Sequence, residues 1–270
     1  MSIAVDQAYA EVQRITRERA KNFAYGIMVL PREKRRAIAA IYAFAREVDD
    51  VADGDLPTAE KRTRLEALRA ALDEPPETAM HVALSDARRA FGIPRDALSA
   101  LVDGGLQDLD QTRYASFDEL RAYCEKVAGA VGVACVAVYG SDDVDRAMTL
   151  GIALQLINIM RDVAEDEALG RVYLPQDELV RFDVRRVGDI TPEWRAFMEF
   201  QAARARAHLR EGLKLLESLD RRSALCVSTF AGLYRGQLDR MEANDFDVFG
   251  PSCRLSTRSK LAVVARGVLR

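Results

Sequence analysis

The sequence predicts an all-α fold, and three observations predict it. Its long segments are dominated by Ala, Leu, Arg and Glu, residues that lose little conformational freedom on entering a helix. No run alternates apolar and polar residues for long enough to read as a strand. Pro residues stand at helix starts or in connections.

Along the chain, Pro31 precedes the apolar, helix-like "REKRRAIAAIYAFA", and Pro57 precedes "TAEKRTRLEALRAAL". A Pro in the first helical turn loses nothing, because its missing N–H would be unpaired there anyway. Ser116 and Glu119 have capping-box spacing at the head of "SFDELRAYCEKVAGAVGVACVAVYG". The stretch "GIALQLINIMRDVAEDEALGRVYLP" at 151–175 starts as a nearly all-apolar helix, then turns polar, and a turn follows near Gly170. Thr191-Pro192 opens "EWRAFMEFQAARARAHLREGLKLLESL", and Gly250-Pro251 is a connection. About ten helices are expected. No linker, low-complexity tract or repeat of solenoid period divides them, so 1–270 reads as a single domain.

Composition narrows the function classes. The 270 residues are 49 % apolar and 30 % charged, enough for one sizeable core. Thirty-nine basic against 42 acidic residues give a formal net charge of −3, which provides no global drive toward nucleic acid or an anionic membrane. Any anionic ligand must be held locally. Cys124, Cys135, Cys226 and Cys253 form no CxxC pair, and only His81 and His208 accompany them, so neither a zinc site nor a disulfide framework is suggested. Reduced thiols in a cytoplasmic protein are the expectation. The N-terminus lacks the order of a signal peptide, and the longest uncharged apolar stretch, 127–140, is too short to span a bilayer. The basic tail "RLSTRSKLAVVARGVLR" could lie on a membrane surface as an amphipathic helix, giving peripheral contact at most.

Two acidic clusters carry the chemistry. In "REVDDVAD", Arg46, Asp49 and Asp53 are spaced i, i+3, i+7 and share one helical face, with Asp50 one residue round from Asp49. In the second, Asn158, Asp162 and Asp166 are spaced i, i+4, i+8, with Arg161 and Glu165 beside them. Gln155 and Asn158 sit among Leu154, Leu156, Ile157, Ile159 and Met160, where a buried amide needs a partner. Either cluster alone also fits a solvated helix end. Together they place carboxylates beside an Arg on helices apolar enough to be interior, where like charges are costly unless neutralised. Oxygen ligands without Cys or His fit Mg2+, which takes one or two carboxylates plus substrate phosphate oxygens. The Arg side chains suit bidentate phosphate contact. The two clusters thus read as halves of a Mg2+–diphosphate clamp.

At these residues the chain resembles the squalene/phytoene synthases, which join two prenyl diphosphates head to head on an all-α isoprenoid-synthase fold with a central apolar cavity. The resemblance runs from "NFAYGIMVLPREKRRAIAAIYAFAREVDDVADG" through "YCEKVAGAVG" and "LQLINIMRDVAEDEALGRVYLP" to "NDFDVF". It implies that Asp49, Asp50 and Asp53, and Asn158, Asp162 and Asp166, bind Mg2+. It implies that Arg46 and Arg161 contact diphosphate, that Tyr42 and Tyr123 line the reacting centre, and that Gln155 sits beside it. Tyr234 and Lys260 look like further diphosphate contacts. Where many relatives carry Ser residues in an N-terminal flap, this chain has "RAKNF", with Ala20 and Asn22, and Lys21 stands in as the phosphate contact.

An apolar tunnel is needed for the prenyl chain. Gly129, Gly132, Ala128, Ala130 and Ala134 offer either room for it or close helix packing. Tyr42 and Tyr123 are equally compatible with core aromatics whose hydroxyls are paired. The wording of "NFAYGIMVLP" and "REVDDVADG" looks most like bacterial presqualene diphosphate synthases of the hopanoid pathway, so two farnesyl diphosphates are the expected substrates. The alternative is a phytoene synthase condensing two geranylgeranyl diphosphates. No dinucleotide fingerprint is present, but relatives that use NADPH lack it too, so NADPH stays open. A noncatalytic partner subunit and a membrane-surface module are the readings from other classes.

Overall fold

A computed structural model describes residues 3–19 and 26–249, and it is helical with no strand among them. Ala20, Lys21, Asn22, Cys253, Lys260 and the basic tail lie outside the described residues. The N-terminal half packs α1 (Val5–Arg19), α2 (Arg32–Asp53), α3 (Thr58–Ala70), α4 (Ala79–Phe91) and α5 (Arg95–Asp110) into one layer of the core. In α2, Ala37, Ile38, Ile41, Phe44 and Val48 recur at helical spacing and are almost fully buried. Pro31 and Pro57 stand one position ahead of α2 and α3, and Pro192 lies inside the first turn of its helix.

The 116–140 segment is one continuous helix with a wider turn inside it: α6 (Phe117–Cys124), a π-helical turn (Glu125–Gly129) and α7 (Ala130–Tyr139). Ser116 Oγ accepts from the N–H of Glu119, while the Glu119 carboxylate reaches one residue beyond the box, to the N–H of Ala115 at 2.8 Å. Its 23 residues are long and apolar enough to cross a membrane, a length the uncharged stretch 127–140 alone did not suggest. Here it packs between α5 and α8 (Val144–Arg161).

Helix α8 is apolar through its middle, where Ala147, Leu150, Gly151, Ile152, Ala153, Leu156 and Ile157 are buried, and it is therefore central. It lies along α11 (Pro192–Gly212), opposite Phe197, Met198, Ala202 and Ala205, and is crossed by α12 (Arg221–Ala243). The close approach of α8 to the 117–139 helix explains the glycines. A Cβ on Gly132 would meet the Ala147 carbonyl oxygen at 2.3 Å, one on Gly151 the Ala128 oxygen at 2.3 Å, and one on Gly129 the Met148 sulfur at 2.0 Å. Of the two uses open to Gly129 and Gly132, these contacts realise helix packing. Gly151→Ala is therefore expected to destabilise by about 1–3 kcal/mol, because the obstacle is backbone. A denaturant midpoint equal to the wild type's would contradict that contact.

The predicted helix from 151 is interrupted once. After α8, Asp162 has φ −98° and ψ 13°, and α9 (Val163–Ala168) follows. Helical bonds close on both sides of the break, with the Asp162 N–H donating to the Asn158 oxygen at 2.9 Å and the Asp166 N–H to the Asp162 oxygen at 2.8 Å. Gly170, at φ 77°, ends α9 and turns the chain toward α10 (Gln176–Arg181). The returning segment lies against 112–115, where the Val172 N–H donates to the Thr112 oxygen at 2.8 Å. The long helix read at 193–219 ends as α-helix at Gly212 and finishes as a 3-10 turn, Leu213–Ser218.

Candidate active site

Three aspartates crowd the C-terminal end of α2, where the helix dipole opposes negative charge and no basic residue sits in the last turn. Cations one turn back on α2 and on α1 compensate. Arg46 Nη2 donates to Asp50 Oδ1 at 2.8 Å and lies 4.0 Å from Asp49, and Arg19 of α1 also pairs with Asp50. Tyr42, one turn before Arg46, is half-buried, and burial raises its pKa, with Arg46 opposing and Asp49 adding to the rise.

The second cluster forms where α8 passes into α9. Arg161 forks onto its neighbour Asp162, with Nε to Oδ1 at 2.6 Å and Nη2 to Oδ2. Asn158 Nδ2 donates to Gln155 Oε1 at 3.3 Å, so the two amides predicted to sit together do so. Asn158 Oδ1 is buried and has no partner among the described residues. Tyr234 of α12 lies close enough to Arg161 to act on its charge.

The two clusters meet through residues that the sequence did not single out. Arg171, just past Gly170 and only 11 % exposed, donates from Nη1 to Asp53 Oδ1 at 2.6 Å and so ties the end of α9 to the end of α2. Beside it, Asp108 of α5 accepts from the Tyr123 and Tyr173 hydroxyls, each at 2.8 Å. The Tyr123 and Tyr173 rings stack at 5.1 Å, with Tyr114 at 5.4 and 5.7 Å. The expected Tyr123 is thus both buried and paired through its hydroxyl. "RVYLP" was visible as a motif, yet nothing in spacing marked Arg171, Tyr173 or Asp108.

Electrostatics shows that the acids share one region. The Asp49 side chain keeps 61 % of its surface open. Protein nevertheless crowds it, and burial, opposed by Arg46 and reinforced by Asp53, Asp108 and Asp50, pushes its carboxyl up to about 7. Asp166 is also pushed up to about 7, by burial first and then by Asp162, with Asp108 and Asp53 adding and Arg171 opposing. Burial raises Asp108 as well, against the hydrogen bond from Tyr123 and the charge of Arg171.

These shifts have a sign. A carboxyl raised from 3.8 to about 7 stabilises the fold fully below about pH 4, and that contribution is lost as pH rises through about 7. Asp166→Asn should therefore gain melting temperature relative to the wild type between pH 5 and pH 8 in metal-free buffer. A pH-independent difference would contradict the raised pKa.

Whether the residues suit Mg2+ can be tested on the buried, unpartnered Asn158 Oδ1. An orphaned carbonyl oxygen beside carboxylates is the hard donor such an ion takes, so the donor set fits. Among the described residues, no three His, Cys, Asp or Glu side chains converge to enclose an ion alone. Ligand oxygens would have to complete the shell.

The comparisons with known proteins agree with this geometry. The family model described as squalene/phytoene synthase matches residues 16–261. The phytoene synthase of Mycobacterium tuberculosis is 44 % identical over 273 residues, covering 97 % of this chain and 90 % of that protein. The 15-cis-phytoene synthase of Synechococcus elongatus is 34 % identical over 290 residues, 99 % of this chain and 94 % of that protein. Among solved structures, a dehydrosqualene synthase in complex with ligand has TM-score 0.90 at 25 % identity, covering 98 % of this chain and 96 % of that one. The squalene synthase HpnC from Alicyclobacillus acidocaldarius has TM-score 0.84 at 25 % identity, covering 92 % and 97 %. The chain, all-helical and carrying both acidic motifs, belongs to the squalene/phytoene synthase family.

Proposed function

We propose that this prenyltransferase joins two geranylgeranyl diphosphates head to head, as a phytoene synthase does. The reaction class is carried by the ion pair between Arg171 and Asp53, which brings both acidic motifs to one place. The chain length is supported by the 44 % identity to a phytoene synthase over nearly the whole chain. Farnesyl diphosphate and presqualene diphosphate, which the motifs favour, are the second reading, supported by the likeness to HpnC.

Asp49, Asp50, Asp53, Asn158, Asp162 and Asp166 are the residues that would hold Mg2+, which when bound neutralises the departing diphosphate. Arg46 and Arg161 bind the diphosphate oxygens, Arg161 by turning its fork from Asp162 onto them. Lys21 and Lys260 are proposed as further contacts. Arg171 keeps Asp53 facing the site. The C1–O bond of the first substrate breaks with both electrons going to the diphosphate. The double bond of the second substrate attacks the allylic cation, and loss of a proton closes a cyclopropane. Tyr42, Tyr123 and Gln155 border this centre, and the packed helices exclude the water that would capture the cation.

Product mass analysis after incubation with Mg2+ and either farnesyl or geranylgeranyl diphosphate, with and without NADPH, decides the substrate. The proposal expects a forty-carbon product from geranylgeranyl diphosphate at the higher kcat/KM. A thirty-carbon product formed preferentially would establish the second reading, and no condensation from either would overturn both.

A further inference from the structure

The carboxylate that lies between the two motifs, Asp108, belongs to neither. It acts electrostatically on Asp49 of the first motif and on Asp166 of the second, and it is itself acted on by Arg171 and Asp53. Its two oxygens are divided between two phenols: Oδ2 accepts from Tyr123 and Oδ1 from Tyr173, both at 2.8 Å. Those side chains come from three separate segments, α5, α6 and the stretch after Gly170. Tyr123 and Tyr173 are 4 % and 7 % exposed and Tyr114 is fully buried, so the three rings form one packed aromatic cluster with Asp108 at the hydroxyl ends of two of them.

We propose that Asp108 is a positioning residue for prenyl transfer, holding the Tyr123 and Tyr173 hydroxyls on itself so that the tyrosines offer ring faces rather than oxygen lone pairs to the carbocation. This role rests on the reaction proposed above. Ring faces stabilise a nearby cation, whereas an oxygen lone pair captures it. A fixed wall also keeps out water, whose capture of the cation is simple to follow. After the C1–O bond breaks, a water oxygen bonds to C1 and gives up a proton, so the products are a prenyl alcohol and free diphosphate instead of a condensed hydrocarbon skeleton. An anionic acceptor with two oxygens can take both hydroxyl hydrogens at once. An amide in the same pose cannot, because the phenol facing its NH2 group meets a donor instead of an acceptor.

The test is Asp108→Asn and, separately, Tyr173→Phe, each assayed with Mg2+ and prenyl diphosphate for kcat, KM and the ratio of prenyl alcohol to condensed product, alongside a thermal melt. Asp108→Asn keeps the shape of the side chain while spoiling one of the two acceptances. The expected result is a kcat lowered about tenfold, the equivalent of one lost hydrogen bond in the transition state, with KM little changed. The alcohol fraction should rise several-fold in both variants. A merely structural Asp108 would lower the amount of folded protein and leave that ratio alone. Both variants folding with the wild-type ratio would overturn the role, and if Asp108→Asn does not fold, the ratio in Tyr173→Phe decides by itself. A wild-type protein that condenses neither prenyl diphosphate would remove the reaction, and this role with it. A wild-type ratio in the variants of an active enzyme counts against Asp108 alone.

Discussion

Asp49→Asn is expected to leave the protein folded and to take turnover below roughly a hundredth of the wild-type rate, the loss typical of removing one preorganised charge contact. Two observations set this expectation. The Asp49 carboxyl is crowded by protein and by Asp53, Asp108 and Asp50, which raise its pKa to about 7. Ionised, it is therefore a burden on the ligand-free fold at neutral pH, and the neutral amide relieves that burden. Its stabilising, protonated form is complete below the ordinary Asp pKa of 3.8 and disappears through about 7. The melting temperature of Asp49→Asn should thus rise relative to the wild type from pH 5 to pH 8 without metal, while activity is lost at every pH. An inactive variant that is also unfolded by circular dichroism would make Asp49 a structural acid.

The second large effect is at Arg161. Its guanidinium holds both oxygens of Asp162, the geometry that a planar fork satisfies and an ammonium does not. Arg161→Lys should lower kcat/KM about tenfold to a hundredfold, because one charge-assisted hydrogen bond is worth about 1.5–3 kcal/mol and the diphosphate needs the same fork. Stability should change little, since Asp162 is partly solvated and can turn to water. Unchanged turnover in this variant would remove Arg161 from the diphosphate site.

The helices were legible where local chemistry decided them. Pro31 with the apolar face of α2, Ser116 with Glu119, and Thr191 accepting from the Trp194 N–H at 3.2 Å all act within one or two turns. The acidic stripes were legible for the same reason, and the break at Asp162 did not disperse the second because it is one residue long and Asp162 is bonded into the helix on either side, by its N–H to Asn158 and by its carbonyl oxygen from Asp166. Asp108 was not legible. In "LVDGGLQDLD" it is one acid among three on an amphipathic helix, and its meaning comes from Tyr173, 65 residues away. Arg171 likewise gains its role from Asp53 at a separation of 118 residues. Spacing along the chain reveals what shares a helix face, whereas these partners are set by how α5, α8 and the turn after Gly170 pack. Gly129 and Gly132 show the same limit, because small residues fit both a tunnel and a tight crossing until the neighbouring backbone is seen at 2.3 Å from the position of an added Cβ on Gly132.

The account stands on the two acidic motifs acting as one binding site. Calorimetric titration of inorganic pyrophosphate into the protein measures this directly, in the presence of Mg2+ or of a chelator, for the wild type, Asp49→Asn and Asp162→Asn. The account predicts binding by the wild type that requires Mg2+, and its loss in each single variant although they lie on different helices. Pyrophosphate binding that survives chelation, or that survives either substitution unchanged, would contradict it.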